Sequence, residues 1–252
     1  MPLLRRLGNK SRMAAKLLPY FPPHDIYVEP FFGAGGMFFN KPRAAHNFLN
    51  DSDNEVFNLY MVAMNDRDRL KFELSRMPVH QSLWRLWKTE IPTDPVLKAV
   101  RFLFYSNFGY MGMGTSLHIK AENPMEAALN ELEGINLTGC KFTCDDFEAA
   151  IRSICLPETE RAFIYSDPPY FEDGDKRAYT PFTQADLSRL FDVLAWRGCK
   201  YAISEFDNPI VVQMAKDRGL QVHIVGARQN MKNRRTEILI TNYEPSIQQS
   251  LF

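Results

Sequence analysis

Ala162-Phe163-Ile164-Tyr165-Ser166-Asp167-Pro168-Pro169-Tyr170 joins a short apolar run to a pair of prolines. The run is rich in β-branched and aromatic side chains and follows a charged pair, which is typical of a buried strand. Proline has no backbone N–H and fixes φ at about −65°, so the strand must end where the prolines begin. The segment therefore predicts a buried strand that ends in a stiff turn.

That turn carries three groups of different chemistry: the Asp167 carboxylate, the Pro168 carbonyl and the Tyr170 ring. In open α/β sheets, ligands bind at the carboxyl ends of the strands. Two hydrogen-bond acceptors beside a flat ring suit a planar base with an exocyclic amine. The alternative is an ordinary loop after a strand that prolines terminate, and this segment alone leaves both open.

Length and composition are those of an ordinary globular protein. The chain has 252 residues, of which 45% are hydrophobic and 24% charged, and its formal net charge is zero. It can therefore bury a substantial core in one large domain, or in one domain with an insertion. Because the net charge is zero, any nucleic acid would have to be bound by local basic patches.

The cysteine pattern and the lack of long apolar runs limit the class of protein. The cysteines form no Cys-x-x-Cys pair and have no histidine at zinc-site spacing, so we expect no metal ion. We find no signal peptide and no run able to span a bilayer, so we expect a cytoplasmic protein that is a monomer or a weak dimer. The four cysteines are Cys140, Cys144, Cys155 and Cys199.

A glycine-rich turn follows a second predicted strand near the amino terminus. Residues 26–32 are mostly apolar and lead into Gly33-Ala34-Gly35-Gly36, after which a helical pattern begins at Met37. Strand, glycine turn and helix in this order bring backbone close to a ligand. The spacing is not a full Gly-x-Gly-x-x-Gly, so this feature is weak evidence by itself.

An acidic residue follows the next predicted strand, residues 45–49. Asp51 lies roughly 20 residues after the first glycine of the turn, which is where a carboxylate accepts hydrogen bonds from a ribose. Asp51 could instead cap a helix that begins near Ser52. The joint occurrence of glycine turn and acid, in this order, favours the ligand role.

The rest of the chain predicts a mostly parallel, doubly wound α/β sheet. Residues 54–108 have helical patterns, and predicted strands at 141–144, 201–204, 221–225 and 237–241 alternate with helices. Such alternation is typical of parallel sheets with helices on both faces. No helix separates the last two strands, so we expect them to form an antiparallel edge hairpin.

Two segments are candidates for contact with a nucleic acid. Residues 106–115 are dense in glycine, methionine, amide and aromatic groups, and residues 228–235 carry four positive charges. The first could enter a groove and the second could hold phosphates, but a flexible connection and a solvated loop are the alternatives. The side chains expected at this interface are Asn107, Tyr110, Arg228, Lys232, Arg234 and Arg235.

Taken in order, these motifs resemble the adenine-N6 DNA methyltransferases of the Dam type over nearly the whole chain. Gly8-Asn9-Lys10 resembles the family's N-terminal Gly-x-Lys motif, residues 29–35 its S-adenosylmethionine loop, and Asp167-Pro168-Pro169-Tyr170 its catalytic motif. Residues 107–110 look like part of its target-recognition region. The chain departs from the family where Arg6 and Leu7 replace a frequent tryptophan.

The resemblance implies an S-adenosylmethionine-dependent enzyme with a seven-stranded, doubly wound, mostly parallel methyltransferase sheet and an antiparallel edge hairpin. Residues 1–65 and 140–252 would form the catalytic domain, and residues 66–139 a helical target-recognition insertion. The partner would be double-stranded DNA. The cofactor would be bound by Lys10, Pro30, Phe31, Phe32, Gly33, Ala34, Gly35, Asp51, Asp146 and Asp167, and catalysis would use Asp167, Pro168, Pro169 and Tyr170.

The expected reaction is methyl transfer to the N6 amine of an adenine flipped out of the duplex. The lone pair of the amine nitrogen is delocalised into the ring, so this nitrogen is a poor nucleophile. The lone pair becomes available for attack on the methyl group if the Asp167 carboxylate and the Pro168 carbonyl each accept one amine hydrogen. The extruded base would stack on Tyr170.

Other methyl acceptors and an inactive protein are the alternatives to this reaction. The acceptor could be an RNA adenine, the N4 amine of cytosine or a glutamine amide, but enzymes for the last two more often carry Ser or Asn where Asp167 stands. A nucleic-acid-binding module without activity is a further alternative. The intact glycine turn, Asp51 and Asp167 argue against it.

Overall fold

Seven strands form one sheet at the centre of the computed structural model, which describes residues 3–4, 6, 8–109, 116–118, 124–156, 159–171, 182–229 and 234–246. The strands are short, and those in the middle of the sheet are buried on both faces. They are β1 (Ile26–Glu29), β2 (His46–Asn50), β3 (Cys140–Thr143), β4 (Ala162–Ser166), β5 (Lys200–Phe206), β6 (Gln221–Gln229) and β7 (Arg234–Thr241).

The strand order is β3-β2-β1-β4-β5-β7-β6. The first five strands in this order are parallel, and β7 runs antiparallel to both of its neighbours. This confirms the predicted doubly wound sheet with an antiparallel edge hairpin. The order reverses between β1 and β4, so the loops that leave these two strands diverge and open a crevice at their carboxyl ends.

Nine helices of the described chain surround the sheet. Local signals set several of their ends: a capping box between Thr183 and Asp186 begins α8, and Gly198, with φ of 69°, ends it. The helices are α1 (Ala14–Leu17), α2 (Asn54–Asn65), α3 (Arg67–Arg76), α4 (Gln81–Thr89), α5 (Pro95–Phe108), α6 (Pro124–Gly134), α7 (Phe147–Ser153), α8 (Gln184–Arg197) and α9 (Pro209–Lys216).

Alternate side chains of the central strands enter two separate apolar clusters, one on each face. Phe163 and Tyr165 of β4 pack with residues of α2 to α6, whereas Ala162 and Ile164 pack with residues of α7 to α9. This alternation is the expected consequence of the pleat in a sheet covered on both sides. Helices α3 to α6 therefore share a core with the sheet, and the proposed boundaries of an insertion at residues 66–139 remain a prediction.

Two local predictions are corrected by the structure. The glycine turn after β1 is followed by a short 3-10 turn, Phe38–Asn40, and not by the expected α-helix. Helix α5 continues to Phe108, so Ser106 and Asn107 are helical and buried and do not belong to an exposed loop. The cause is that both side chains fall on a helix that is apolar nearly all round.

Two negative findings apply to the described part of the chain. None of its helices has the length and apolarity needed to cross a bilayer. It also contains no group of three or more His, Cys, Asp or Glu side chains arranged to hold a metal ion.

Candidate active site

The turn after β1 has a backbone that favours glycine at two positions. Gly33 and Gly35 have φ of 53° and 65°, in the left-handed region that side chains with a Cβ rarely adopt. A Cβ on Gly35 would lie 2.7 Å from the Phe32 ring, whereas a Cβ on Gly33 would meet no atom within 4 Å. The turn is therefore packed against the protein at Gly35 and open to the crevice at Gly33.

The amino-terminal segment lies directly on this turn. A Cβ on Gly36 would approach the backbone nitrogens of Lys10 and Ser11 to 2.7 and 2.8 Å. The side chain of Asn9 shapes the segment by accepting a hydrogen bond from the Ser11 N–H at 2.9 Å. Gly36 thus permits a close approach that carries the Lys10 side chain into the crevice, a role that the sequence analysis did not assign to it.

Asn50 is a second residue that sequence reasoning missed. It is 3% exposed at the end of β2. Its Nδ2 donates to the carbonyls of Pro30 and Asp145, both at 3.0 Å. Its Oδ1 accepts from the Thr143 hydroxyl at 2.7 Å and from the Asp145 N–H at 2.9 Å. This one amide therefore ties together the exits of β1, β2 and β3.

Asp51 holds a carboxylate at the tip of β2. It accepts the Gly33 N–H at 2.6 Å and the Asp53 N–H at 2.9 Å. Burial raises the pKa of this carboxyl, while Arg6 and the two N–H donors act in the opposite direction. The N-cap of α2 is Asp53, which accepts the Glu55 N–H, so the structure excludes the alternative in which Asp51 caps this helix.

Asp146 lies after β3, where it begins α7. It accepts the Glu148 N–H at 3.0 Å and pairs with Arg189 at 2.8 Å, and about half of its side chain is exposed. The next residue, Phe147, packs against Phe31 with ring centroids 5.3 Å apart. The acid expected near a cofactor is thus at the same sheet edge as Asp51, but already has an arginine partner.

A cavity of about 290 Å³ lies between the sheet and α7. It reaches the exits of β1, β2 and β3, and its walls are mainly apolar with a few polar groups. Such a lining suits a flat, partly polar ligand. Among the residues around it are Pro30, Phe48, Asn50, Thr143 and Ile151.

A buried ion cluster lies on the other side of the crevice, at the exits of β4 and β5, where the amino-terminal half of β7 pairs with β5. The Lys10 ammonium is 2.6 Å from Asp167 Oδ1 and 3.0 Å from Glu237 Oε1, and Lys10 is 2% exposed. Glu237 also accepts hydrogen bonds from the Tyr170 hydroxyl at 2.9 Å and from the Ser204 hydroxyl at 3.2 Å. Lys10 therefore connects the glycine turn to the predicted catalytic carboxylate.

Tyr170 is not open to the crevice as the stacking prediction requires. It is 8% exposed, and its ring packs edge-on against Phe206 with centroids 4.2 Å apart. The Lys10 ammonium lies 4.4 Å from the ring centroid and also contacts the hydroxyl. Burial, followed by the charge of Asp167, raises the pKa of this phenol, so it remains protonated and donates to Glu237.

Two further buried carboxylates flank the crevice. Glu29, 2% exposed, accepts the Tyr27 hydroxyl at 2.7 Å, and burial raises its pKa to about 8. Glu205, 0% exposed, accepts two backbone N–H groups, and burial raises its pKa also to about 8. Charged residues within otherwise apolar strand patterns were the sequence signal that could have identified both.

The predicted DNA-binding residues receive different outcomes. Asn107 is 5% exposed and donates to the Leu103 carbonyl within its own helix, and its contact with a DNA groove stays a prediction. The Arg235 guanidinium lies over Phe206, 5.2 Å from the ring centroid. Tyr110 and Lys232, and the side chains of Arg228 and Arg234, lie outside the described residues.

Comparison with known proteins gives a consistent family match. A family model described as D12 class N6 adenine-specific DNA methyltransferase matches residues 7–238. The chain is 23% identical to a Type II methyltransferase of Lactococcus lactis subsp. cremoris, over 96% of this chain and 95% of that protein. It is 21% identical to a DNA adenine methylase of Escherichia coli K12, over 97% of this chain and 95% of that protein.

One similar solved structure is that of a Streptococcus mutans protein in complex with SAH. The TM-score is 0.43 at 9% identity, and the match covers 92% of this chain and 97% of that one.

Proposed function

The chain belongs to the D12 class N6 adenine-specific DNA methyltransferases, and from this premise we propose how its own side chains carry out the transfer. The protein methylates the N6 amine of adenine in DNA and uses S-adenosylmethionine as the methyl donor. The observation that carries the assignment of roles is the position of Asp167, which directly follows β4 and is held by Lys10 at 2.6 Å.

The residues at the exits of β1 to β3 fit this cofactor. The open space at Gly33 leaves room beside the turn, and the cavity of about 290 Å³ can take a flat heterocycle. Asp51 offers carboxylate lone pairs suited to ribose hydroxyls. The residues that we assign to cofactor binding are Lys10, Pro30, Phe31, Phe32, Gly33, Ala34, Gly35, Asp51, Asp146 and Asp167.

Asp167 and Pro168 act on the adenine amine. When bound, S-adenosylmethionine supplies an electrophilic methyl group on a sulfonium. The Asp167 carboxylate and the Pro168 carbonyl accept one amine hydrogen each, so the nitrogen lone pair leaves conjugation with the ring and points at the methyl carbon. Fixed acceptors placed where positive charge develops act by electrostatic preorganisation. The proton leaves the amine after the transfer, and no covalent enzyme intermediate is needed.

Lys10 and the two prolines position these acceptors. The ammonium of Lys10 fixes one oxygen of Asp167, and Pro168-Pro169 stiffens the chain that carries the second acceptor. For Tyr170 we propose a role as a wall against which the extruded base stacks. For this stacking, the Tyr170 ring has to become accessible to the base, because in this structure it packs against Phe206.

DNA binding is assigned to the face that carries the edge hairpin. Arg235 lies over Phe206, which itself contacts Tyr170, so this hairpin begins next to the proposed base site. Phosphate contacts by Arg228, Lys232, Arg234 and Arg235 would hold the duplex in register over the crevice. We further propose that residues 66–139 contribute to target recognition, with Tyr110 among the contacts, and that the enzyme acts as a monomer or a weak dimer.

Substitution of Asp167 tests this function. We expect Asp167→Ala to lower tritiated-methyl transfer to plasmid DNA by at least about 1000-fold, because it removes one of two fixed acceptors. The affinity for S-adenosylmethionine, measured by calorimetry, should fall far less than the rate, because Asp167 is one of ten residues that we assign to cofactor binding. The matched control is Asp192→Ala, which removes an exposed carboxylate from α8 that pairs with Arg218.

Nucleoside analysis of the methylated DNA identifies the acceptor. The wild-type enzyme should produce N6-methyladenine. Formation of N4-methylcytosine, or undiminished transfer by Asp167→Ala, would contradict the proposed function.

A further inference from the structure

Glu205 is a buried carboxylate on which the residue after the catalytic motif depends. Its Oε1 accepts the backbone N–H of Phe171 at 2.8 Å, and its Oε2 accepts the N–H of Phe206 at 2.7 Å. The side chain is 0% exposed. Phe171 directly follows Asp167-Pro168-Pro169-Tyr170, so one oxygen of Glu205 holds the end of that motif and the other holds its own strand.

The prolines of the motif explain why this hydrogen bond matters. Strand β4 ends at Ser166, and neither Pro168 nor Pro169 has an N–H to donate to a neighbouring strand. The loop therefore leaves the sheet without the backbone ladder that would fix its position over β5. The carboxylate of Glu205 takes the place of that ladder by accepting the Phe171 N–H.

Glu205 acts from the face of the sheet opposite to the reacting groups. Along β5, Ala202 packs in one apolar cluster and Ile203 in the other, so alternate residues face opposite sides. Ser204 bonds to Glu237, and Phe206 contacts Tyr170, on the side that carries Lys10. Glu205 lies on the other face and makes its hydrogen bond to this segment through the Phe171 N–H, although the charges of Lys10 and Asp167 also act on its pKa.

The type of residue at this position also argues for a specific task. The neighbouring residues on this face of β5 are Tyr201 and Ile203, and both pack in the apolar cluster on that side of the sheet. A carboxylate that is removed from water destabilises a core unless its oxygens are hydrogen bonded. The raised pKa of Glu205, which burial causes, is consistent with that desolvation.

We propose that Glu205 is a positioning residue, which sets the place of Asp167 and Tyr170 over β5 through the Phe171 backbone. This inference rests on the methyl-transfer function proposed above. It predicts that loss of Glu205 slows the chemical step and leaves ligand affinity nearly unchanged, since no atom of Glu205 lies in the crevice.

The test combines two Glu205 variants with a control at the other end of the same strand. Glu205→Gln keeps the shape but places an NH₂ group where one acceptor was, and Glu205→Leu removes both acceptors. The control, Asn242→Ala, removes a side chain that accepts the Tyr201 N–H at 2.8 Å and donates to the Cys199 carbonyl at 2.9 Å. Both sites clamp the backbone of β5, but Asn242 lies at its amino end, far from the crevice.

Three readouts are measured on each protein: the single-turnover rate of methyl transfer to duplex DNA, the affinity for S-adenosylmethionine, and hydrogen exchange at the Phe171 amide. A misplacement of about 1 Å can reduce a rate by about 100-fold, so we expect that loss for Glu205→Leu and about 10-fold for Glu205→Gln. Affinity should stay within about threefold, and exchange at Phe171 should accelerate. Asn242→Ala should lower the Tm without changing the rate.

Two results would overturn the positioning role. One is a transfer rate of Glu205→Leu within about threefold of wild type. The other is an unchanged exchange rate at Phe171, which is measurable even if wild-type protein transfers no methyl group to adenine. Absence of transfer by the wild type would instead contradict the proposed function, so the two failures are distinguishable.

Discussion

The two sides of the crevice are built by different means. On the side of β1, β2 and β3, the neutral amide of Asn50 and backbone groups hold the strand exits. The carboxylate of Asp51 is held by two backbone N–H groups, and that of Asp146 is about half exposed. On the side of β4, β5 and β7, Lys10 is buried between Asp167 and Glu237. The cofactor side is thus held mainly by an amide and backbone hydrogen bonds, and the base side by a charged cluster kept from water.

This difference predicts which property a substitution on each side should change. Charges removed from water interact more strongly and are also more expensive to leave without a partner. Disruption on the base side should therefore affect both folding and catalysis. Disruption on the cofactor side should mainly affect ligand affinity.

The largest expected effect is the loss of Glu237 from the charged cluster. Glu237→Ala leaves the buried Lys10 ammonium with one carboxylate fewer and removes the acceptor of the Tyr170 hydroxyl. Breaking a buried ion pair from one side costs about 3–5 kcal/mol, so we expect a loss of about 4 kcal/mol in the free energy of unfolding. Urea denaturation measures it.

A double variant and an exposed pair serve as controls for this effect. Lys10→Met combined with Glu237→Ala should destabilise the protein by less than the sum of the two single variants, because both substitutions break the same ion pair. Removal of Glu148, which pairs with Arg152 and Arg189 at the surface, should reduce the stability far less than the loss of Glu237 does. A Glu237→Ala protein as stable as a Glu148→Ala protein would remove the contrast between the two sides.

Local sequence signals explain why the fold was predictable. The prolines after β4, the glycines after β1 and the capping residue Thr183 act on their immediate neighbours, so their effects could be inferred without tertiary information. These signals placed both walls of the crevice correctly. They failed where packing decides, as after the glycine turn, where the expected α-helix is a short 3-10 turn, Phe38–Asn40.

The base side was less predictable because its contacts are distant in sequence. Lys10 and Asp167 are separated by 157 positions, and Tyr170 and Glu237 by 67. No periodicity or spacing links such residues. Lys10 was assigned to cofactor binding on resemblance alone, and its carboxylate partner Glu237 was not singled out at all.

Glu29 breaks the simple division between the sides, since it belongs to β1 but is buried like the base-side carboxylates. Its pKa of about 8 lies above the 4.5 of an ordinary glutamate, so folding favours the neutral form. The resulting stabilisation is complete below about pH 4.5 and is lost as the pH rises toward about 8. Other groups that act on it are Tyr27, Lys41, Asp51 and Asp167.

Glu29→Gln should therefore change the pH dependence of stability. The variant keeps a neutral side chain at every pH, so its stability relative to wild type should rise by about 3 kcal/mol between pH 5 and pH 8. Thermal unfolding across this range measures the difference, and the contribution of Glu205 cancels because both proteins contain it. A difference that stays constant with pH would show that Glu29 is ionised in the folded protein.

The smallest expected effect is on the neutral side, at Asn50. Asn50→Ala removes four hydrogen bonds that join the exits of β1, β2 and β3, so the loops bearing Pro30 and Asp145 lose their common anchor. We expect about a 10-fold weaker affinity for S-adenosylmethionine, which corresponds to about 1.4 kcal/mol, measured by calorimetry.

Asn47 provides the matched control, because it is the same residue type on the same strand and is equally buried. It lies at the amino end of β2, where its amide donates to the Ala44 carbonyl at 2.8 Å. Asn47→Ala should lower stability by about 1–3 kcal/mol and leave cofactor affinity unchanged. If the two variants weakened affinity equally, the effect would come from general loosening of β2. If only Asn50→Ala weakened the affinity, the neutral amide of Asn50 would be the group that holds the cofactor side in shape. On the base side, buried charges have this role.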